Sequence, residues 1–279
     1  MLVSMSTNNK KRKNKTMIAY DDKRKQIGDD DYLFSVTQMN EFINNPNNFF
    51  RKVILKEDIP FANNYTTLGT LCHYAISQAH MGDGIHDFEI NEYLDSLSEF
   101  NIDYAWILEK FKQMQDTIIP FARNISIAEP DEFEKAHLLK LDEHIYLGGT
   151  LDCRYGNVII DYKTTSDKYI SDEKELPEKY INQLYTYAYM LHQEGIAVDK
   201  VAIMYMTIPE LGRISEKTGK YMKDYPCRCF VVEQYLRQEK MDEIIKQIEL
   251  IKETIKLILN NRKLLPYFAR DLYLSPLLP

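Results

Sequence analysis

One hairpin near the middle of the sequence constrains the fold more than any other feature. Gly156-Asn157 lies between two runs of apolar and β-branched residues, and this dipeptide suits the positive φ angles of a two-residue turn. A turn there places Asp152 directly opposite Asp161, with Cβ atoms about 4.5–5.5 Å apart. Lys163 lies two residues further on and projects from the same face as Asp161. The sequence thus predicts two carboxylates and one ammonium group in a single patch.

Two interpretations of this patch are open. In the first, the hairpin has a solvated face and its charges serve solubility. In the second, the strand is central in the sheet, because Val158, Ile159 and Ile160 form a continuous apolar run and Ile159 shares its face with the charged residues. Facing carboxylates in a packed strand repel each other unless a partner neutralises them, and a divalent cation with oxygen ligands does so. The pattern favours a metal site.

Two further segments carry polar groups at helical spacing. Gln183 and Tyr187 are four residues apart, so a helix places them on one face, where both can donate hydrogen bonds to phosphate oxygens. For this segment alone, an ordinary amphipathic helix is the better interpretation. His73 lies in a second predicted helix that starts near Gly69; such a histidine is more often structural, but a neutral imidazole also suits a metal site beside carboxylates. Glu134, in a strand predicted before the hairpin, is an accessory acidic candidate.

Four motifs occur in order along the chain: Gly69-Thr-x-x-His73, Gly149-x-x-Asp152, Asp161-Tyr-Lys163-Thr and Gln183-x-x-x-Tyr187. Together they resemble the RecB-like exonuclease branch of the PD-(D/E)XK nuclease superfamily. That branch includes RecB- and AddB-type nuclease domains, CRISPR-associated RecB-like exonucleases and the mitochondrial genome maintenance exonuclease. The segment that begins at Phe34-Ser35 and ends at Phe49-Phe50 also resembles the first helix of this branch.

The resemblance implies a metal site and a catalytic lysine. Mg2+ or Mn2+ would be held by four groups: His73, Asp152, Asp161 and the backbone carbonyl of Tyr162. Lys163 would orient or help deprotonate the attacking water, or stabilise charge on the scissile phosphate. Gln183 and Tyr187 would position the DNA backbone and the lysine. Three hydroxyl residues complete the candidates for substrate binding: Ser35, Thr164 and Thr165.

Several relatives hold a [4Fe–4S] cluster through one early and three late cysteines. Asn45 occupies the early position in this sequence, and the late part of the chain contains only Cys227 and Cys229. These are too few thiols for the set, so no iron–sulfur cluster is expected.

The predicted fold is α/β, with a central mixed β-sheet of about four or five strands flanked by helices, as in the restriction-endonuclease-like core of the family. A helical insertion is expected around residues 88–120 and a long C-terminal helix over residues 232–261. Residues 1–31 carry a net charge of +3 and are expected to form a disordered tail. Residues 32–279 carry −10 and are expected to form a single nuclease domain.

The predicted function is a divalent-metal-dependent DNA exonuclease that leaves 5′-phosphates during recombination, repair or replication. The alternatives are a structure-selective endonuclease on the same core and a non-catalytic DNA-binding or scaffolding subunit. The abundant tyrosines suit single-stranded DNA or DNA with free ends, and the N-terminal tail or the C-terminus could recruit a protein partner. No segment predicts a membrane span or a secretory signal, so a cytoplasmic location is expected. Nuclear import through Lys10–Lys15 and a phage or viral origin are open alternatives.

Overall fold

The computed structural model of the protein describes residues 27–125, 130–167, 169–170 and 175–264. Its six strands are β1 (Tyr32–Ser35), β2 (Glu132–Asp142), β3 (Ile145–Tyr155), β4 (Val158–Thr165), β5 (Lys200–Thr207) and β6 (Cys229–Tyr235). The helices within these ranges are α1 (Gln38–Asn44), α2 (Pro46–Val53), α3 (Asn64–Met81), α4 (Asp87–Ser96), α5 (Tyr104–Ile125), α6 (Glu178–Gln193) and α7 (Gln238–Asn260). A single 3-10 turn, Arg262–Leu264, follows α7.

The strands form one mixed sheet in the order β1-β3-β4-β5-β6, and β2 also pairs with β3. Because β2 runs antiparallel along nearly the whole of one edge of β3, strands β1 and β4 must share the other edge. Strand β1 pairs with residues 145–148 and β4 with residues 153–155. Residues 149–152 therefore face a gap between β1 and β4 in the described sheet.

The predicted hairpin turn is confirmed, since Tyr155 pairs with Val158, Arg154 with Ile159 and Cys153 with Ile160. Gly156 adopts a φ of +55°, which favours glycine. The prediction that Asp152 pairs directly opposite Asp161 is wrong, because the ladder ends one pair earlier. The backbone N–H of Tyr162 instead donates to Asp152 Oδ2 at 2.7 Å, so a side chain occupies the donor next to the end of the ladder.

Helices cover both faces of the sheet and form two hydrophobic cores. Helices α1, α2, α6 and α7 pack on one face, where Leu151, Ile159 and Ile203 are buried. Helices α3, α4 and α5 pack on the other face, against Cys153 of β3, Ile160 of β4 and several residues of β5. The three-layer arrangement confirms the predicted α/β class with a central mixed sheet. It also explains the continuous apolar run of β4, because both faces of this strand are packed.

Several predicted boundaries change. The long C-terminal helix begins at Gln238 rather than at residue 232, because Cys229–Tyr235 forms the edge strand β6 and pairs antiparallel with β5. This strand and the short β1 raise the number of strands to six. The region of the predicted insertion contains α4 and α5. The predicted tail lies largely outside the described residues, as do residues 265–279, so the division into a tail and one domain stays a prediction.

Candidate active site

A tyrosine side chain fills the gap in the β3 edge. The Tyr187 hydroxyl, carried by α6, donates a hydrogen bond to the Thr150 carbonyl at 2.6 Å. The ring passes over Gly149, where a Cβ atom would lie only 2.8 Å from the Tyr187 hydroxyl oxygen and 3.0 Å from Val36 Cγ2. Glycine is therefore required at position 149 by close approach. This contact connects the Gly149-x-x-Asp152 motif to the Gln183-x-x-x-Tyr187 motif.

The β2–β3 ladder breaks at the site. Pairs form on both sides of Glu134 and Asp152, at Phe133–Cys153 and Lys135–Leu151, but these two residues do not themselves pair. Glu134 adopts a φ of +45°, a left-handed conformation that costs a non-glycine residue of order 1–3 kcal/mol. Leu151 and Cys153 then enter cores on opposite faces of the sheet, although alternation would place them on the same face. The distortion brings two carboxylates together at one point.

His73 completes this group from helix α3. Its Nε2 forms a hydrogen bond with the Tyr162 carbonyl at 3.0 Å, and because a carbonyl only accepts, Nε2 carries the proton. The other ring nitrogen, Nδ1, lies 3.7 Å from Asp152 Oδ1 and 3.9 Å from Glu134 Oε1. One ligand atom of each of these three residues lies within 4.8 Å of the others. We call His73, Glu134 and Asp152 the acidic group.

The electrostatics of the group fit a cation. Burial lowers the pKa of His73, but the carboxylates of Asp152 and Glu134 outweigh it and raise the pKa to about 9. Burial raises the pKa of Asp152, against the opposing charges of His73 and Lys163. A proton on the imidazole offsets the repulsion between the two carboxylates at neutral pH. The nitrogen and oxygen donors are of the types that bind Mn2+ and, through oxygen, Mg2+.

Asp161 and Lys163 form an ion pair beside this group. Lys163 Nζ lies 2.6 Å from Asp161 Oδ2, and Gln183 Nε2 donates to Asp161 Oδ1 at 2.8 Å. Burial raises the pKa of Asp161 to about 6, although Lys163 opposes the rise. Burial lowers the pKa of Lys163, but Asp161 and Asp152 outweigh it, so the ammonium group stays protonated at neutral pH. Asp161 thus has Oδ1 bonded to the Gln183 amide and Oδ2 beside the Lys163 ammonium group, and it lies outside the three-residue group.

The other predicted site residues have local partners. Ser35 and Gln38 exchange hydrogen bonds across the turn before α1, because the Ser35 N–H donates to Gln38 Oε1 at 2.7 Å and the Gln38 N–H donates to Ser35 Oγ at 3.3 Å. Thr164 lies beneath α3, where its hydroxyl is 3.4 Å from the position of a Cβ atom at Gly69. Thr165 Oγ1 accepts from the backbone N–H of Asp167 at 3.1 Å. The structure brings none of these three hydroxyl residues into the acidic group within the described contacts.

Two features of the site escape the sequence motifs. Glu134 is suggested only as an accessory acid, whereas the structure places its carboxylate beside His73 and Asp152. Its positive φ has no signature in the sequence. Tyr180 is the second feature, because its ring lies 5.5 Å from Lys163 Nζ and contributes to the environment of the ammonium group. The signal for Tyr180 is its position three residues before Gln183 on the same helix.

Comparisons with known proteins find one family model and several similar solved structures. A family model described as the PD-(D/E)XK nuclease superfamily matches residues 33–260. Similar solved structures include a candidate exonuclease from Eubacterium rectale, with a TM-score of 0.49, 11% identity and coverage of 92% of this chain and 87% of that chain. A phage-related exonuclease from Haemophilus somnus 129PT has a TM-score of 0.39 and 11% identity, with 80% of this chain and 97% of that chain covered. LHK-Exo in complex with dAMP has a TM-score of 0.32 and 15% identity, with coverage of 71% and 98%, respectively.

A search of curated proteins finds no match. Within the described residues, no helix is both long and apolar enough to cross a membrane. The family model, in contrast, extends over most of the chain, from β1 to the end of α7, and includes every residue of the acidic group. Nucleases of this superfamily use divalent metals, in agreement with the donor set around His73. The chain belongs to the PD-(D/E)XK nuclease superfamily.

Proposed function

We propose that this protein is a divalent-metal-dependent DNA exonuclease that hydrolyses phosphodiester bonds and leaves 5′-phosphate ends. The observation that carries the proposal is the convergence of His73, Glu134 and Asp152 beside the Asp161–Lys163 ion pair. Membership of the nuclease superfamily supports the reaction class. The preference for strand ends rests on the motif resemblance to the RecB-like branch.

The acidic group would hold Mg2+ or Mn2+. His73 Nδ1 and the carboxylates of Glu134 and Asp152 are the nearest set of donors. The motif resemblance adds Asp161 and the Tyr162 carbonyl to this set. A bound divalent cation supplies a Lewis acid that lowers the pKa of water and neutralises charge on the phosphoryl oxygens.

Lys163 would act as a hydrogen-bond donor rather than as a base. The two aspartates keep its amine protonated at neutral pH, so the amine cannot accept a proton from water. A protonated amine can orient the attacking water or stabilise negative charge on the scissile phosphate. The ion pair with Asp161 restricts where the ammonium group lies, which reduces the reorganisation needed in the transition state.

Gln183 and Tyr187 would act as positioning residues. Gln183 orients the Asp161 carboxylate directly. Tyr187 is buried, with its hydroxyl bound to the Thr150 carbonyl, and so supports the β3 segment that carries Asp152. Neither role requires contact with phosphate, in contrast to the role that the motif resemblance implies.

Cleavage of end-labelled DNA tests the proposal. Linear single-stranded and double-stranded substrates are incubated with Mg2+, Mn2+ or EDTA, and covalently closed circles are included. We expect metal-dependent release of label from linear DNA, intact circles and products with 5′-phosphates. Lys163→Ala should abolish cleavage, whereas Lys246→Ala, at an exposed site on α7, should not.

Each alternative function gives a different result in this assay. Cleavage of closed circles would identify an endonuclease on the same core. Binding of DNA without turnover, by wild type and by Asp161→Ala alike, would identify a non-catalytic binding or scaffolding subunit. A role in recombination, repair or replication, a protein partner and a cytoplasmic location stay predictions that need experiments in cells.

A further inference from the structure

A two-stranded arm extends from the end of β5. Residues 210–225 form a hairpin in one continuous register, with bridges between Glu210 and Tyr225 and between Ile214 and Tyr221. Backbone hydrogen bonds from Met222 to Arg213 and from Ser215 to Lys220 agree with this register. The turn closes at Gly219, whose φ is +63°. We call residues 210–225 the arm.

The outer part of the arm is exposed, aromatic and basic. The bridged residues Tyr221 and Ile214 are 80% and 55% exposed, so the arm presents apolar surface to solvent. Residues 213–223 contain four basic side chains and one acidic side chain, a net charge of +3, and the whole arm, which adds Glu210 and Asp224, carries +1 in a chain whose net charge is −7. These basic residues are Arg213, Lys217, Lys220 and Lys223.

The arm begins next to the candidate active site. Strands β4 and β5 are parallel and end together, and the backbone N–H of Ile208 donates to the Thr165 carbonyl at 2.8 Å. Lys163 is only two residues before that end of β4. At the base of the arm, the Tyr225 hydroxyl lies 3.2 Å from the Tyr169 hydroxyl, so the arm also contacts the chain that follows β4. The arm thus borders the same end of the sheet as the ammonium group.

One face of the second arm strand forms a row. Tyr221, Lys223 and Tyr225 alternate along this strand and so share a face. Lys223 Nζ lies 5.4 Å from the centroid of the Tyr225 ring. The four residue-to-residue steps from Tyr225 to Tyr221 span about 13 Å at the rise of a β-strand. The row therefore extends from the base of the arm outward, with a ring at each end and an ammonium group between them.

We infer that the arm binds a single-stranded segment of nucleic acid, with an unpaired base stacked on Tyr221 and a phosphate contacted by Lys223. This inference deepens the proposed function and rests on it for the identity of the substrate. An exposed ring stacks on any unpaired base, because every base has a π-face, whereas the base faces of a duplex are already covered by their neighbours. A lysine on the same face as the ring neutralises backbone charge without reading sequence. The arm then selects single-stranded ends over intact duplex.

Fluorescence anisotropy tests the inference. A fluorescein-labelled 20-nucleotide oligothymidine and a duplex of the same length are titrated with the full chain in EDTA, which prevents metal-dependent cleavage. Tyr221→Ala should weaken binding of the single strand by about 5- to 150-fold and that of the duplex much less. Tyr221→Phe should bind as wild type does, because it keeps the ring. Tyr235→Ala is the matched control, since Tyr235 is an exposed tyrosine that pairs with Lys200 at the opposite end of β5.

Salt dependence tests the lysine separately. Lys223→Ala should lower the slope of log K against log salt by about 0.7, the change expected when one phosphate is no longer neutralised. The inference is overturned if Tyr221→Ala binds the single strand as tightly as wild type does. It is also overturned if single strand and duplex weaken equally, or if wild type binds no single strand. A surface for a protein partner would give the first of these results.

The cleavage assay keeps the two proposals apart. If wild type shows no metal-dependent cleavage but its binding of single strands depends on Tyr221, the proposed nuclease function fails and the arm inference stands. If cleavage requires Lys163 and metal but binding is indifferent to Tyr221, the arm inference fails alone.

Discussion

Substitution of Gly149 by alanine tests whether the close approach of Tyr187 organises the site. Gly149 is not in the positive-φ region, so its backbone conformation alone would accept alanine. Alanine would then stabilise the protein by about 0.4–1 kcal/mol, because it lowers the conformational entropy of the unfolded chain. The close approach opposes this gain, because the new Cβ would lie 2.8 Å from the Tyr187 hydroxyl oxygen and 3.0 Å from Tyr187 Cε1.

The expected penalty follows from these distances. Insertion of one methyl group into a packed core costs about 1–3 kcal/mol. Displacement of the Tyr187 hydroxyl also removes its hydrogen bond to the Thr150 carbonyl, a further cost of about 1 kcal/mol. After subtraction of the entropy gain, we expect Gly149→Ala to lower the free energy of unfolding by about 1–3 kcal/mol. The rate of DNA cleavage should fall as well, because residues 149–152 lead directly to Asp152.

Urea unfolding, followed by circular dichroism, measures this penalty. Gly148→Ala is the matched control, because its new Cβ would meet the flexible end of Leu33 at 3.0 Å rather than a rigid ring. We expect that variant to change stability by less than about 1 kcal/mol. In a Tyr187→Phe background, Gly149→Ala should cost less than in wild type, since the hydroxyl oxygen is absent. Equal stability of Gly149→Ala and wild type, or an unchanged penalty in the Tyr187→Phe background, would refute the reasoning.

Three further predictions concern the metal, the positioning of Asp161 and the core. Because the His73 pKa is raised to about 9 and a ligand nitrogen must lose its proton, calorimetry should show apparent Mn2+ affinity rising up to about tenfold per pH unit between pH 7 and 9. Gln183→Leu should lower the cleavage rate by about tenfold or more through loss of its bond to a carboxylate, whereas Gln193→Leu on the same helix should not. Ile248→Ala should lower the free energy of unfolding by about 2–5 kcal/mol, whereas Leu250→Ala, exposed on the same helix, should change it by less than about 0.5 kcal/mol.

Specific results would contradict these three predictions. Mn2+ affinity that is constant from pH 7 to 9 would mean that no proton leaves the imidazole on binding. Equal cleavage by the two glutamine variants would remove the positioning role of Gln183. Equal stability of the two α7 variants would contradict the packing of this helix against the sheet.

The hairpin is predictable because local chemistry determines it. Gly156 sets the turn, and the two-residue loop then dictates the three pairs that follow. Only the order of the motifs predicts that His73 and Gln183 lie near the hairpin. Helical periodicity does not indicate which helix packs beside which strand. The continuous apolar run of β4 correctly indicates a central strand.

Two irregularities at Asp152 are not predictable, because they depend on competition between neighbours. Asp152 does not pair with Glu134 in the β2–β3 ladder, and the β3–β4 ladder ends before Asp152. An uninterrupted ladder would pair Asp152 with Asp161, but the Asp152 carboxylate takes the N–H of Tyr162 instead. The apolar residues of β6 also fit the start of a helical stripe, and pairing with β5 outweighs that preference. For residues 212–224 the sequence indicates a polar connector that forms a β-turn or a mobile loop near the substrate, and two isolated bridges leave too little trace in the sequence to predict the two-stranded arm.

The most direct measurement is the initial rate of cleavage of a 5′-labelled single-stranded oligonucleotide in Mg2+ or EDTA, for wild type and Asp152→Asn. Asp116→Asn, at an exposed site on α5, is the control. A metal-dependent nuclease centred on His73, Glu134 and Asp152 predicts no cleavage in EDTA and a loss of about 100-fold or more in Asp152→Asn only. Equal rates for Asp152→Asn and wild type in Mg2+, or undiminished cleavage in EDTA, would contradict it.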